Sequence, residues 1–187
     1  MNTMQTIGKS IVQELGQTMG KIAEAQAEAL INAMLAAQRI FVAGAGRSGL
    51  MVRAFAMRLM HLGFETHVVG ETTTPSLCAA DFLLIASGSG ATGSLVVMAQ
   101  KAQKIGAKIG LVTIDPQAPI AQLAAVVLTI PAPSPKVAQA TGFRSIQPMG
   151  SLFEQCLLLT LDALIMLLME RCGKTADVMF GRHANLE

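Results

Sequence analysis

Asp81-Phe-Leu-Leu-Ile-Ala-Ser-Gly-Ser-Gly-Ala-Thr92 decides how this chain is read. Residues 82–86 are continuously apolar, as a strand covered on both faces requires. Ser87, Gly88, Ser89 and Gly90 break the run, and from Ala91 onward Leu95, Val96 and Met98 fall among small and polar residues in a helical pattern. A strand that turns into a helix through serines and glycines exposes backbone N–H groups and hydroxyls at a helix N-terminus, where the macrodipole favours an anion. The stretch therefore predicts a phosphate cradle. The plainer alternative is a strand-to-helix turn with glycines for tight dihedrals and a serine cap. Ala91 and Thr92 follow Gly90 with no Walker lysine, so the expected ligand is a phosphate monoester and not a nucleoside triphosphate.

Upstream, Arg39-Ile-Phe-Val-Ala43 reads as the first strand, and Gly44-Ala-Gly46-Arg47-Ser48-Gly49 turns it into a helix that runs to about His61 and stops at Gly63. Residues 65–69 form a second strand, followed by a polar rim loop, Gly70-Glu-Thr-Thr-Thr-Pro75. Downstream, residues 108–114 and 125–130 are further strands, with a short helix at 120–123 between them. Alternation of strand with helix or loop predicts a parallel five-stranded sheet with helices on both faces, an α/β sandwich. Residues 4–37 read as one long N-terminal helix, or two broken near Gly16 or Gly20. Pro131, Pro133 and Pro135 open a long loop to about Pro148, and a loop of that length in a compact domain usually has a function. An apolar helix over 151–171 and a short one over 175–180 close the chain. One domain is expected over 1–187, with a helical segment at about 1–37, a sheet core at about 38–131 and C-terminal helices at about 148–183.

The chain has 187 residues, 52% hydrophobic and 14% charged, the latter well below the ~25% usual for soluble domains. So much apolar surface is most simply hidden by subunit contact, and the 156–169 helix, apolar nearly all round, points to a homo-oligomer, a dimer or a tetramer built as a dimer of dimers. A net charge of +2, scattered Lys and Arg, and no Trp or Tyr argue against a nucleic-acid partner. Cys78, Cys156 and Cys172 are widely spaced, as expected for reduced thiols of a cytoplasmic protein. Gln5, Lys9, Gln13 and Glu14 interrupt the N-terminus, so no secretory signal is expected. The 156–169 run is short for a bilayer and carries Asp162, so no membrane partner is expected either. No cluster has metal-ligand spacing, and no metal or cofactor is expected.

Gly44-x-Gly46-x-x-Gly49 has the spacing of a dinucleotide fingerprint, with Glu71 as a possible ribose-binding acid. Arg47 and Ser48 within the turn, and a second phosphate-type turn at residues 87–92, argue instead for two hydroxyl-rich turns meeting in one crevice at the carboxyl edge of the sheet. At this point the chain resembles the SIS (sugar isomerase) domain family, and within it the hexulose-phosphate isomerase branch. The resemblance rests on Val42-Ala-Gly-Ala-Gly-Arg-Ser-Gly49, Phe55-Ala-Met-Arg-Leu-Met-His-Leu-Gly63, Val69-Gly-Glu-Thr-Thr-Thr-Pro-Ser76, Ala86-Ser-Gly-Ser-Gly90, Pro148-Met-Gly-Ser-Leu-Phe-Glu-Gln155 and Arg182-His-Ala-Asn-Leu186. It runs from about residue 40 to the C-terminus. Ala91 departs from it, where such turns often carry a charge.

The resemblance implies an isomerase that interconverts D-arabino-hex-3-ulose 6-phosphate and fructose 6-phosphate through an enediol, in the ribulose monophosphate route of formaldehyde fixation or detoxification. That chemistry needs a phosphate anchor, a base and oxyanion donors. Gly46, Arg47, Ser48, Ser87, Gly88, Ser89 and Thr92 are the candidate phosphate and substrate contacts, with Glu71, Thr72 and Thr73 for the sugar hydroxyls. Arg47 could pair with the phosphate, polarise a substrate oxygen, or be only a solvated charge. Glu154 is the candidate base, although Ser151-Leu-Phe-Glu154 is also a capping-box pattern. His61 could be a general acid or oxyanion partner, or a cationic imidazole suited to a helix C-terminus. His183 could reach a neighbouring subunit's site, as a histidine does in related sugar-phosphate isomerases. His67 reads as structural. Two rivals remain: a sugar-phosphate-sensing SIS module, disfavoured by the lack of a basic recognition helix in the first forty or so residues, and an isomerase of another phosphosugar.

Overall fold

The five expected strands form and pair in parallel: β1 (Ile40–Gly44), β2 (Thr66–Val68), β3 (Phe82–Ala86), β4 (Lys108–Thr113) and β5 (Val126–Thr129), in the order β2-β1-β3-β4-β5. The structure is a computed structural model and describes residues 3–135 and 143–186. Among the described residues six α-helices accompany the sheet: α1 (Met4–Met19), α2 (Glu24–Leu35), α3 (Gly46–Leu62), α4 (Gly93–Ile105), α5 (Ser151–Arg171) and α6 (Ala176–Phe180). Residues 121–123 form a single 3-10 turn in place of the expected short helix. Of the loop expected over 131–148, residues 136–142 lie outside the described residues.

The long N-terminal helix is two helices. Gly20 caps α1, and Ala23 takes an extended conformation before α2 begins. The break lets α2 lie on the sheet, where Gln26 accepts a hydrogen bond from the Thr129 N–H of the edge strand at 2.9 Å.

Alternating residues of each strand feed two cores, as a strand's period of two requires. Ile40, Val42, Leu84 and Val112 face α2, α3 and α5. Phe41, Leu83, Ile85 and Leu111 face α4 and the 3-10 turn. Both sides of the central strands are therefore covered, and β3 is buried at all five positions. Each fully buried Leu, Ile or Phe contributes on the order of 1.5–3 kcal/mol.

At the amino edge, Asp81 is 2% exposed and pairs with Arg39 at 2.7 Å. It also accepts from the Cys78 N–H at 2.6 Å. Burial raises the Asp81 pKa, but the Arg39 and Cys78 bonds outweigh it and hold the carboxyl below its ordinary range. This staple sits at the foot of β1 and β3, whose carboxyl ends carry the two glycine turns.

α5 is long and apolar enough to cross a membrane by length and composition, yet half of it is buried in the protein. Leu157, Leu161, Leu164 and Leu168 pack into the core beside α3 and α1. Its outer side leaves Leu159 at 42% and Met166 at 70% exposed.

Candidate active site

Between β1 and β3 the chain order reverses direction across the sheet, and an open α/β sheet forms its binding crevice at such a point. Here α3, α4 and α5 all begin, at N-caps Ala45, Thr92 and Gly150, which line one cleft of about 480 Å³. None of the three has a side-chain cap. A helix leaves its first N–H groups without intrahelical partners, so three positive helix ends converge on the same space.

Local sequence explains two of these ends. After β1, Gly44 and Gly49 lie so close that a Cβ on Gly49 would sit 2.7 Å from the Gly44 carbonyl oxygen. The absence of side chains brings α3 hard against the strand and presents Arg47 and Ser48 in its first turn. After β3, Gly90 takes φ +57°, and a Cβ there would lie 2.4 Å from the Ala118 Cβ. Its N–H donates to the Ser87 carbonyl at 3.0 Å, closing the turn. The Ser87 and Thr92 hydroxyls meet at 3.2 Å, so Thr92 turns its oxygen across the cradle and leaves the first N–H groups of α4 uncapped. α4 therefore starts at Gly93, two residues later than the pattern from Ala91 predicts.

The third end required the fold. Glu154 Oε2 lies 3.1 Å from Arg47 Nε, and Arg47 Nη1 donates to Ser151 Oγ at 3.0 Å. The capping-box expectation for Ser151 and Glu154 is overturned: Gly150 is the N-cap, Ser151 is already inside the helix, and both side chains turn to Arg47 from the other turn. Glu154 is one-fifth exposed at its side chain, so its carboxylate faces the cleft without being sealed off from water.

Gly46, Arg47, Ser48, Ser87, Gly88, Ser89, Thr92 and Glu154 are thus brought together at one cleft. Glu71, Thr72 and Thr73 are not among its lining. Glu71 instead pairs with Arg53 at 2.6 Å on the outer side of α3, with both side chains about half exposed. His67 lies against Phe41, with ring centroids 5.1 Å apart, and contacts Glu65. Sequence reasoning missed Ser134, Pro135, Met149 and Gly150, which line the cleft from the loop after β5. Loop length is the signal for Ser134 and Pro135, whereas Met149 and Gly150 lie in the Pro148–Gln155 stretch that carries the family resemblance.

His61 and His183 meet each other at the opposite end of α3, about 20 Å from Ser48 at 1.5 Å per residue. Their rings stack at 5.5 Å, and the Phe180 ring lies 6.0 Å from that of His183. They border a second cleft of about 390 Å³ with Arg58, Asp162 and Met166. The tail that carries His183 is seated by Arg182, whose guanidinium packs so close to Gly63 that a Cβ there would lie 2.6 Å from Nη1. His61 is 3% exposed. Burial pushes its imidazole below the ordinary 6.5, and the charges of Arg58 and His183 push the same way. The cationic helix-end imidazole is therefore disfavoured, because burial and the two neighbouring charges all favour the neutral ring.

The SIS domain family model matches residues 33–159. The chain is 45% identical over 187 residues to a curated 3-hexulose-6-phosphate isomerase of Bacillus subtilis, covering all of both chains. It is 45% identical over 177 residues to a protein of the same name from Mycobacterium gastri, covering 93% of this chain and 86% of the relative. A solved structure from Methanococcus jannaschii, from which a molecular function of 3-hexulose-6-phosphate isomerase has been inferred, superposes with a TM-score of 0.83 at 32% identity and covers 96% of this chain and 98% of that one. The fold, the paired glycine turns and these full-length likenesses agree: the chain belongs to the SIS domain family and, within it, groups with the 3-hexulose-6-phosphate isomerases.

Proposed function

We propose that the cleft at the N-termini of α3, α4 and α5 isomerises D-arabino-hex-3-ulose 6-phosphate to D-fructose 6-phosphate, with Glu154 as base and the polar groups of the two glycine turns as anchor. The convergence of three uncapped helix ends on one cleft supports this site most strongly. A phosphate dianion there meets backbone N–H groups, the Ser48, Ser87, Ser89 and Thr92 hydroxyls, and the Arg47 guanidinium.

With the phosphate anchored, the hexulose chain extends toward α5. Glu154 takes the proton from C2, the C2–C3 double bond forms, and the C3 oxygen takes up the electron pair and is protonated. The resulting enediol loses the proton of its C2 hydroxyl while C3 is reprotonated, which leaves the carbonyl at C2. Atoms balance within the substrate, and no external oxidant enters. The Glu154 carboxylate faces the cleft from the first turn of α5, within reach of a substrate anchored at the two glycine turns.

His61 and His183 serve as general acid or oxyanion partners from a neighbouring subunit. The distance along α3 supports this, since one subunit cannot bring its own histidines to its own cleft. Exposed apolar side chains near the histidine end, with Met166 at 70% and Phe180 at 78%, support a homo-oligomer assembled as a dimer of dimers. Glu71, Thr72 and Thr73 would then contact the sugar hydroxyls from such an interface. The reaction belongs to the ribulose monophosphate route, in the cytoplasm, where the free thiols of Cys78, Cys156 and Cys172 are at home.

The deciding experiment supplies the substrate from ribulose 5-phosphate and formaldehyde with a hexulose-6-phosphate synthase, and detects fructose 6-phosphate. Product formation that depends on this protein is expected. Well-folded protein with no product would sink the assignment.

A further inference from the structure

We infer that Glu14, on α1 and outside the cleft, is a positioning residue that fixes the α5 end of the active site. The inference rests on the reading of Glu154 as the base. Glu14 is 8% exposed, and its carboxylate accepts three hydrogen bonds from three consecutive residues. Ser145 Oγ donates to Oε2 at 2.8 Å, the Ile146 N–H to Oε1 at 2.7 Å, and Gln147 Nε2 to Oε2 at 3.0 Å. Ser145 Oγ also accepts from the Gln147 N–H at 3.0 Å, so the three residues close around the carboxylate. Burial raises the Glu14 pKa, but the bonds from Gln147, Ile146 and Ser145 together hold it below its ordinary value. Charge-assisted bonds of this kind are about twice as strong as neutral ones.

The clamp matters because residues 148–154 lead from it directly into the cleft. Pro148 accepts from the Ser151 N–H at 3.2 Å. Met149 has φ +56° and is the only non-glycine among the described residues with a left-handed backbone. Such a conformation persists where the surroundings hold it in place. Met149 and Gly150 line the cleft, and Ser151 and Glu154 meet Arg47 directly after them. The strained residue is therefore held on one side by Glu14 through residues 145–147, and on the other by Arg47 through Ser151 and Glu154. Lys21, just beyond α1, adds a second tether by lying 5.6 Å above the Phe143 ring. Of the phosphate contacts, Arg47 bonds to this segment; the Ser87–Thr92 turn follows β3 and takes no part in the clamp.

The test is steady-state kinetics of Glu14→Gln with D-arabino-hex-3-ulose 6-phosphate, alongside inhibition by inorganic phosphate. Gln has the same shape but lacks the charge, and its amide N–H groups face donors. The expected result is a kcat loss of about tenfold or more, since small misplacements of a reacting group can cost on the order of 10²-fold. Phosphate inhibition is expected to change by less than kcat, within about twofold, because the Ser87–Thr92 turn and the start of α3 keep their own local bonds. Gln26→Ala, which removes the side-chain bond to β5, is the stability-matched control and should keep its kcat. The inference is overturned if Glu14→Gln keeps kcat, if only KM changes, or if Gln26→Ala loses kcat equally. Should Glu14→Gln fail to fold, the Ser145→Ala/Gln147→Ala double variant removes two of the three donors from the loop side and faces the same criteria. Glu154→Gln, measured in parallel, separates the two ideas: full activity there removes the base reading, whereas an inactive Glu154→Gln beside an active Glu14→Gln overturns the role of Glu14 alone.

Discussion

The two ends of α3 are built in different ways and present different chemistry. At its N-terminus, Gly46, Arg47 and Ser48 open onto a cleft shared with the starts of α4 and α5. At its C-terminus, His61 is buried against His183, which comes from a tail more than a hundred residues further along. The first end offers unpaired donors and positive potential, which suit an anion. The second brings two imidazoles together beside Arg58, Asp162 and the apolar Met166 and Phe180. The difference teaches that the two ends of one helix cannot meet within one subunit: an anion held at one end is about 20 Å from the imidazoles at the other, and the proposed shared site would need a second subunit to unite them.

The strongest way to break the contrast is at Glu154. Glu154→Gln should lower kcat by about 10²–10⁴, the usual range for loss of a general base, with phosphate inhibition largely kept. A loss of less than threefold would remove Glu154 from the chemistry, though not the phosphate from the cradle.

Next in size is the histidine end. His183→Ala should lower kcat by about 10²-fold, without weakening phosphate inhibition, because the cradle lies elsewhere. Mixed assemblies of His183→Ala and Glu154→Gln subunits should regain activity, since some clefts then combine an intact Glu154 with a neighbour's intact His183. If subunits exchange and no activity returns, the two ends do not serve a shared site.

The smallest effect sharpens the contrast through pH. The folded His61 pKa lies below the unfolded value near 6.5. Above pH 6.5 both states are neutral and the histidine is silent. Below it the unfolded chain binds a proton that the folded one resists, so stability falls with pH until the folded pKa is passed. Thermal melts of the wild type should drop between pH 7 and pH 5.5 more than those of His61→Asn, and parallel curves would show that burial of this imidazole is not linked to folding.

Legibility in the sequence followed the range of the interaction. Residues 82–86 form β3 and residues 151–171 form α5 at the bounds expected, because continuous apolar runs mark buried elements. Both glycine turns were readable because strand, turn and helix start are contiguous. By contrast, the break after Gly20 stood beside an unbroken helix and a break near Gly16, since a glycine in a helical pattern can be tolerated or can end it. The capping-box reading at Ser151 failed because Arg47, 104 residues away in the chain, draws both side chains away from the helix end. Glu71, Thr72 and Thr73 carry a distinctive motif, yet Glu71 is taken up by Arg53 on the outer side of α3. Glu14 had no sequence signal beyond a polar interruption in an amphipathic helix.

By itself the sequence determined the parallel sheet, the two phosphate-type turns and the families of residues that could serve them, because apolar periodicity and glycine placement are local properties. Only the tertiary structure decided that α5 begins on the same cleft, that Arg47 joins Glu154 there, and that the histidines gather at the far end of α3. Those facts depend on which distant segments share the two cores of the sheet, and on how far a helix of fixed rise carries its ends apart.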